Sequence, residues 1–342
     1  MYGGKISPYC LVRKFWLIKF LYFYKNQIFD LQITVMNATI LLFHRVNPVR
    51  DVLWDPMAPE LFEKIMHFVS KKYEVISLSD LCLHHKVTQK PPLAITFDDG
   101  FKDYVEYALP VLNKYNFHST MFVVTNSVEE NMPTWTYIMD YLFFHTQKLE
   151  IPYFDYGEEC RSFARYKWAT KEEQIIYCRK FKQFLKKVEN PQRMTIMNAF
   201  RNGFNDVYIP GNLMLSWDEL RSLNNEWVDI GSHSVSHPPL ATIENEQELQ
   251  NEIKVSGEII EKKLGYFPSA ISYPVGSYNK RVKELSKKAG YKFGMAVDQK
   301  LYNSDKQDLF EVPRIELYND SFLRNKIKIY GIESAIKSII KR

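Results

Sequence analysis

Short apolar segments alternate with longer amphipathic ones along most of the chain from Met36 onward. Most of the apolar segments are nearly continuous runs of branched and aromatic residues, which is typical of parallel strands buried on both faces. Eight segments of this kind are predicted to be strands, namely 38–44, 73–78, 93–97, 118–124, 227–233, 269–274, 293–297 and 312–317.

The segments between these strands have the hydrophobic pattern of helices. Ser216 and Glu219 have the spacing of a capping box, and Gly265 and Gly290 follow amphipathic stretches as C-terminal caps. Regular alternation of strands and helices predicts a parallel α/β fold, and eight strands indicate a distorted (β/α) barrel. The interval of about residues 128–215 has no strand pattern and is predicted to be a helical insertion.

The two ends of the chain differ from the rest. Residues 1–35 are aromatic and apolar, but Lys14 and Lys19 interrupt them, so they resemble neither a signal peptide nor a membrane span. We predict that residues 1–35 are an N-terminal extension, with a segment that lies on a membrane surface as the alternative, and that residues 36–342 form the barrel domain. The C-terminal stretch is basic and amphipathic, which favours a helix closing the barrel and leaves peripheral membrane contact as the alternative.

The amino-acid composition limits which cellular compartment and which binding partners are expected for the protein. Lys and Arg number 45 and Asp and Glu number 40, without a long basic block, so nucleic-acid binding is not indicated. The four cysteines have no metal-type spacing and form no disulfide framework, which favours a reducing compartment and a cytoplasmic protein. Aromatic residues make up 15% of the chain, an excess that serves either a large core or a stacking surface for sugars.

Two segments place metal-binding side chains directly after predicted strands. The segment "TFDDG" ends the third strand with Asp98 and Asp99, and "HSVSH" follows the fifth strand with His233 and His237. A helix cap explains one aspartate at such a position, whereas two adjacent carboxylates after a buried strand indicate a cation or proton transfer. A carboxylate with two histidines four residues apart is typical of a catalytic metal site with open positions. The ends of the strands are also where (β/α) barrels carry their reactive groups.

The same segments resemble the first two motifs of the polysaccharide deacetylase family, also called the NodB-homology family. The resemblance extends to "ILLFHRV", "LSWDELRSL", "SYPVGSYNKRV" and "VPRIEL", and it covers most of residues 36–320 outside the insertion. It implies a divalent metal, most often Zn²⁺, held by Asp99, His233 and His237, with Asp98 as the general base. It also implies removal of N- or O-acetyl groups from glycans by a water molecule whose pKa the metal lowers from 15.7 toward about 7.

Two family features are missing from this sequence. Ser272 stands where the family has an arginine two residues before a proline, and no histidine follows His237 to act as general acid. His44, at the end of the first strand, is a candidate general acid, with a structural histidine or a metal-bound water as proton donor as the alternatives. Arg314 is a candidate replacement for the missing arginine that holds Asp98, and a structural ion pair is the alternative.

Further residues are candidates for contact with the substrate. Pro274, Gly276 and Tyr278 follow the sixth strand and are expected to shape the mouth of the site. Trp135 opens the insertion and is a candidate for sugar stacking, although aromatic residues of helices more often belong to the core.

Together these features predict a metal-dependent carbohydrate deacetylase. The expected substrate is an acetylated glycan, or a lipid-linked or nucleotide-linked sugar, in the biosynthesis of a surface polysaccharide. The sequence carries no signal for the oligomeric state. A non-catalytic glycan-binding protein on the same scaffold is the alternative favoured by the missing arginine and histidine, and a glycosidase is a second. Release of acetate, as opposed to new reducing ends, distinguishes the deacetylase from both.

Overall fold

The structure, a computed structural model, describes residues 37–84, 88–151, 160–163, 167–225, 227–305 and 307–340. The predicted extension at residues 1–35 lies outside the described residues. Each of the eight predicted strand segments contains a strand, and a short additional strand pairs antiparallel with the first. The strands are β1 (Asn37–Phe43), β2 (Glu74–Val75), β3 (Pro92–Phe97), β4 (Ser119–Val123), β5 (Val228–Ser232), β6 (Ala270–Ser272), β7 (Phe293–Met295), β8 (Tyr302–Asn303) and β9 (Ile315–Glu316).

The strands form one sheet that curls on itself. Its order is β7-β6-β5-β4-β3-β1-β8, with β2 paired to β3 and β9 paired to β1. Val312 exchanges backbone hydrogen bonds with β7, since its N–H donates to the Gly294 carbonyl at 2.9 Å. A few residues later the Leu317 N–H donates to the Leu42 carbonyl of β1 at 3.1 Å. The stretch 312–317 therefore pairs with β7 at its start and with β1 at its end, which curls the sheet toward closure. The predicted distorted barrel is confirmed.

Helices cover the outside of the sheet, and their predicted caps are present. The Ser216 hydroxyl accepts from the Glu219 N–H at 3.2 Å, and the Ser216 N–H donates back to the Glu219 carboxylate at 2.8 Å. The helices are α1 (Pro59–Lys72), α2 (Leu78–Cys82), α3 (Leu109–Lys114), α4 (Thr125–Glu130), α5 (Trp135–His145), α6 (Lys171–Leu185), α7 (Asn190–Gly203), α8 (Trp217–Leu223), α9 (Glu246–Gln250), α10 (Ser256–Leu264), α11 (Lys280–Ala289), α12 (Phe322–Ile329) and α13 (Ile332–Ile340).

Shorter helical turns interrupt this pattern within the described residues. Tyr104–Ala108 precedes α3, and Asn251–Val255 connects α9 to α10, each as a single π-helical turn. Leu240–Thr242 and Pro274–Gly276 are 3₁₀ turns. Among the described residues no helix has the length and apolar character needed to cross a membrane.

The insertion between β4 and β5 is helical in its described residues. Helices α4 to α7 lie in it, and α5, α6 and α7 enclose an apolar cluster separate from the core of the barrel. Phe143 packs against Tyr177 and Phe200, with ring centroids 5.8 and 5.2 Å apart. Much of the aromatic excess of the chain therefore fills this core. The boundaries of the predicted domains stay a prediction.

Candidate active site

The register of the sheet brings the first and third strands to one edge together. Phe43 of β1 pairs with Phe97 of β3, and their rings stack with centroids 5.3 Å apart. The residues that follow them, His44 and Asp98, therefore leave the sheet side by side, and the Asp98 N–H donates to the Phe43 carbonyl at 3.0 Å. Parallel pairing thus places groups that are distant in sequence at the same carboxyl edge, as (β/α) barrels do for their active sites.

A sharp backbone turn buries the side chains of both adjacent aspartates. Asp99 and Gly100 both have left-handed backbones, with φ of 78° and 86°. A Cβ on Gly100 would lie 3.2 Å from Cγ1 of Val123, so this position favours glycine for space as well as for its backbone. A non-glycine residue in the left-handed region is uncommon, and such strain concentrates at functional sites. Asp98 is 2% and Asp99 3% exposed.

The two histidines begin and end a tight loop after β5. Val123 of β4 pairs with Ser232 of β5, and the His233 N–H then donates to the Val123 carbonyl at 2.8 Å. Ser234 and His237 have φ of 65° and 63°, which folds the intervening residues back on themselves. The Ser234 hydroxyl accepts from the His237 N–H at 3.0 Å. The segment is thus a turn-like loop that points both imidazoles to one side.

Asp99, His233 and His237 form a cluster with the geometry of a metal site. Oδ1 of Asp99 lies 3.5 Å from Nε2 of His233 and 3.3 Å from Nε2 of His237. One donor atom of each residue lies within 4.8 Å of the other two, and all three residues are buried. Carboxylate oxygen and imidazole nitrogen are the ligands of catalytic zinc sites, which keep a position open for water.

The environment of this cluster also fits a cation. Asp99 Oδ1 is buried and has no hydrogen-bond partner within the protein. Burial raises the pKa of Asp99 and lowers the pKa of His237 well below its ordinary value, with His233 adding to the second effect. A neutral imidazole is the form that binds a metal, and a bound cation would satisfy the orphaned carboxylate oxygen. The donor set is therefore suited to a divalent metal.

Asp98 lies beside the cluster in a separate ionic arrangement. Its two oxygens accept from Nη1 and Nη2 of Arg314 at 2.7 and 2.8 Å, while its Oδ2 is 3.8 Å from Nε2 of His233. Burial by itself raises the pKa of Asp98, but the charges of Arg314 and His233 and the hydrogen bonds of Arg314 outweigh it and hold the pKa well below its ordinary value. Asp98 is therefore expected to be an ionised carboxylate next to the candidate metal ligands.

Arg314 has no exposed surface and contacts Asp98 in the position that the sequence prediction assigned to it. Its Nε also donates to the Ala296 carbonyl at 3.2 Å. Ser272, which stands in place of the family's arginine, accepts from Nη2 of Arg314 at 2.8 Å and donates to Oδ2 of Asp98 at 3.0 Å. An arginine from the far end of the chain thus pairs directly with the Asp98 carboxylate, and Ser272 is hydrogen-bonded to both.

His44 lies at the accessible side of the cluster. Its Nδ1 is 3.6 Å from Oε1 of Glu316 in β9, and its side chain is 21% exposed. The indole of Trp54 meets the imidazole edge-on, with ring centroids 5.3 Å apart. The structure therefore places a partly exposed histidine with a nearby carboxylate beside the predicted ligands, whereas its role in proton transfer stays a prediction.

The candidate substrate residues differ in how far they are buried. Pro274 is buried at the start of a 3₁₀ turn, Gly276 is half-buried with φ of 69°, and Tyr278 stacks on Tyr273 with ring centroids 5.1 Å apart. Trp135 is only 5% exposed, and its indole N–H donates to the His237 carbonyl at 2.9 Å. The structure therefore corrects the expectation of a stacking surface at Trp135, because its ring is buried against the loop that carries the candidate ligand His237.

Sequence reasoning missed one buried carboxylate near the site. Glu252 is 7% exposed and accepts hydrogen bonds from Val235 and Ser236, between the two histidines. It lies in an amphipathic stretch among many charged residues, so nothing local marks it as buried. A glutamate at an inward position of the helix pattern was the only available signal.

Comparison with known protein families finds a match to this chain. A family model described as polysaccharide deacetylase matches residues 85–294, more than half of the chain. The protein YxkH of Bacillus subtilis (strain 168), which is named as a polysaccharide deacetylase, is 24% identical over 103 residues, or 30% of this chain. That match covers 36% of YxkH, so the chain spans about a third of the length of this curated relative.

Solved structures share the fold over most of their length. The Streptococcus pyogenes deacetylase PplD, in complex with acetate, has a TM-score of 0.53 at 18% identity, covering 86% of this chain and 99% of PplD. IcaB from Ammonifex degensii has a TM-score of 0.55 at 14% identity, covering 86% of this chain and 97% of IcaB. The BpsB deacetylase domain from Bordetella bronchiseptica has a TM-score of 0.50 at 17% identity, covering 82% of this chain and 96% of that domain. At these identities the likeness establishes the fold alone.

Proposed function

Because the chain belongs to the polysaccharide deacetylase family, we propose that it is a metal-dependent enzyme that hydrolyses N- or O-acetyl groups of a glycan or glycan precursor. The observation that carries this proposal is the ionised Asp98 beside the Asp99, His233 and His237 cluster. The Asp99 carboxylate belongs to the candidate ligand cluster, and the Asp98 carboxylate lies beside that cluster and is paired with Arg314. The two aspartates are thus suited to different tasks.

Asp99, His233 and His237 would hold the metal, for which Zn²⁺ is the proposed identity from the donor set. When bound, a divalent cation supplies Lewis-acid chemistry that activates water and polarises the acetyl carbonyl. The burial of all three side chains strengthens their electrostatic interaction with a cation, because the local dielectric is low.

Asp98 is the proposed general base. Its low pKa keeps it ionised, and Arg314 with Ser272 fixes the plane of the carboxylate. In the reaction, the attacking water forms a bond to the acetyl carbon and gives its proton to Asp98. The bond from that carbon to the sugar nitrogen or oxygen then breaks, and the leaving group takes up a proton. The products are acetate and a free amine or hydroxyl.

His44 is the proposed donor of the proton that the leaving group takes up. The Glu316 carboxylate lies 3.6 Å from Nδ1 of His44, and partial exposure leaves the ring open to a substrate. We expect His44→Gln to lower kcat by about 10²- to 10⁴-fold, the usual range for general acid–base catalysis, with a smaller change in KM. The measurement is steady-state acetate release, with His84→Gln, at an exposed histidine paired with Asp80, as the control. Wild-type turnover by His44→Gln would exclude this role.

The proposed reaction is tested by measuring acetate release from acetylated chito-oligosaccharides and acetylated xylan. We expect release by the wild-type protein, its loss on treatment with a chelator, and its return with Zn²⁺. Reducing ends without acetate would identify a glycosidase. Binding of the glycans without either product would identify a non-catalytic glycan-binding protein.

The proposed biological substrate is an acetylated glycan of a surface polysaccharide, or its lipid-linked or nucleotide-linked precursor. The match to polysaccharide deacetylases supports a glycan but leaves these forms open. Comparing kcat/KM for an acetylated polymer and for a UDP-linked acetylated sugar distinguishes them. A preference for the nucleotide-linked sugar would place the enzyme before polymerisation.

A further inference from the structure

The loop His233–His237 carries two of the three candidate metal ligands at its ends, so its backbone sets the distance between the two imidazoles. The ring centroids are 4.9 Å apart. Two of its residues, Ser234 and His237, have left-handed backbones that cost energy for residues other than glycine. Such a loop keeps its shape only if surrounding groups hold it.

Glu252 accepts hydrogen bonds from the residues in the middle of this loop. Its Oε2 accepts from the Val235 N–H at 3.0 Å and from the Ser236 N–H at 2.9 Å, and its Oε1 accepts from the Ser236 hydroxyl at 2.5 Å. Both carboxylate oxygens act as acceptors, so Glu252 binds three donors of the loop at once. Glu252 is buried, so water competes little for its carboxylate oxygens.

The local backbone of Glu252 suits this contact. It lies in the π-helical turn Asn251–Val255, between α9 and α10. A π turn inserts an extra residue into a helix and rotates the side chains that follow, and such turns occur frequently at functional sites. Ser256, which begins α10, also shares a hydrogen bond of 2.7 Å with Ser232 at the end of β5. The helix is thus joined to the strand and to the loop that follows it.

Trp135 holds the other end of the same loop. Its indole N–H donates to the carbonyl of His237 at 2.9 Å, which restrains the left-handed residue that carries the ligand. The fully buried Arg193 of α7 lies over the Trp135 ring, 5.3 Å from a ring centroid. The core of the helical insertion therefore fixes the position of the indole, and through it the backbone of His237.

We propose that Glu252 and Trp135 are positioning residues that hold His233 and His237 at the separation one metal ion requires. Glu252 does so through the amides between the histidines, and Trp135 does so through the carbonyl of His237. This inference rests on the proposed function, since it requires that the cluster binds a metal. It also gives the helical insertion a task at the metal site, because Trp135 and Arg193 both belong to it.

The expected consequence is a smaller free-energy cost of ordering the loop when the metal binds. With both residues present, the loop already has its binding geometry, and little ordering is needed when the metal enters. Without them, part of the binding free energy is spent on ordering the loop. Partners that orient metal ligands from outside the coordination shell typically contribute 10- to 100-fold to metal affinity.

The experiment measures the Kd for Zn²⁺ by competition with a chromophoric chelator, and the visible absorption spectrum of the Co²⁺-loaded protein. The variants are Glu252→Ala, Glu252→Gln and Trp135→Phe. Glutamine can accept the amide bonds with its carbonyl and donate to the Ser236 hydroxyl, so it preserves the contact without the charge. Trp217→Phe is the matched control, because it also removes an indole donor, here to Glu129 at 2.6 Å, away from the loop.

We expect Glu252→Ala to raise the Kd by about 10- to 100-fold and to change the Co²⁺ spectrum, with substantial recovery in Glu252→Gln. Trp135→Phe should raise the Kd severalfold, and Trp217→Phe should leave it unchanged. Thermal unfolding of the metal-free proteins identifies variants that fail to fold, and Glu252→Gln and Trp135→Phe keep the test valid if Glu252→Ala is among them. Wild-type affinity and spectrum in folded Glu252→Ala and Trp135→Phe would overturn the inference alone. Absence of metal binding by the wild-type protein would overturn it together with the proposed function.

Discussion

Asp98→Asn is expected to abolish acetate release while leaving metal binding in place. An amide has no basic lone pair for the proton of the attacking water, and loss of a general base typically costs about 10²- to 10⁴-fold in rate. Asp98 lies outside the Asp99, His233 and His237 cluster, with its carboxylate paired to Arg314, so the candidate ligands remain. The measurements are acetate release under saturating substrate and the metal content of the purified protein.

The substitution also removes the charge partner of a buried arginine, so lost activity has to be separated from lost structure. Asp140→Asn is a suitable control, because Asp140 is equally buried and is paired with Lys182 in the helical insertion. Both variants neutralise a buried carboxylate that faces a cation. We expect Asp140→Asn to keep its turnover and Asp98→Asn to lose it at temperatures where both are folded. Turnover above a tenth of the wild-type value in Asp98→Asn would exclude Asp98 as the general base.

The parts of the fold that could be predicted are those with local signals. Apolar runs such as that before Asp98 marked the strands, and Gly265 and Gly290 marked helix ends that the structure shows as left-handed caps. Strand ends are where a (β/α) barrel gathers its reactive groups, so the motifs at 98–99 and 233–237 were sufficient to predict a shared site. The short strand β8 was missed, because two residues paired at an edge leave no periodic pattern.

The supporting contacts of the site had no such signal. Arg314 and Asp98 are 216 positions apart in sequence, and their pairing depends on the stretch 312–317 lying against β1. The exchange of the family's arginine for Ser272 indicates a replacement, but only the fold shows that the Arg314 guanidinium pairs directly with the Asp98 carboxylate and that Ser272 is hydrogen-bonded to both. Long-range hydrogen bonds of this kind depend on tertiary packing, which a single sequence does not display.

Trp135 shows why composition alone left two interpretations open. An aromatic residue at the start of an insertion is compatible with a sugar-stacking surface or with a core, and the residue types are the same in both. The structure shows burial, a hydrogen bond to the carbonyl of His237, and Arg193 over the ring. The ring thus connects the insertion to the candidate metal site through the protein interior.

Arg314→Met is expected to lower the free energy of unfolding by about 3–5 kcal/mol at pH 7, the usual cost of leaving one partner of a buried ion pair unpaired. It leaves the Asp98 carboxylate buried. Of the two side chains that donate hydrogen bonds to this carboxylate, only Ser272 remains. In the wild-type protein the pKa of Asp98 is depressed, so the pair stabilises the fold above the unfolded-state pKa and loses this contribution only as pH falls through the depressed value. Without Arg314, burial raises the pKa of Asp98. As pH falls, protonation of this buried carboxylate removes its charge and reduces the loss of stability in the variant. Urea unfolding of the metal-free proteins should therefore show a larger difference at pH 7 than at pH 4.

The double variant Asp98→Asn/Arg314→Met separates this charge effect from a loss of packing around the arginine. If the unpaired carboxylate causes most of the loss, neutralising it should return part of the stability, and the double variant should be more stable than Arg314→Met alone. Residues in direct contact commonly show such non-additivity, with coupling of about 0.5–3 kcal/mol. Strictly additive losses, or an equal loss for Arg314→Met at both pH values, would mean that Arg314 supports the barrel through packing. In that case the ionisation of Asp98 would require another source.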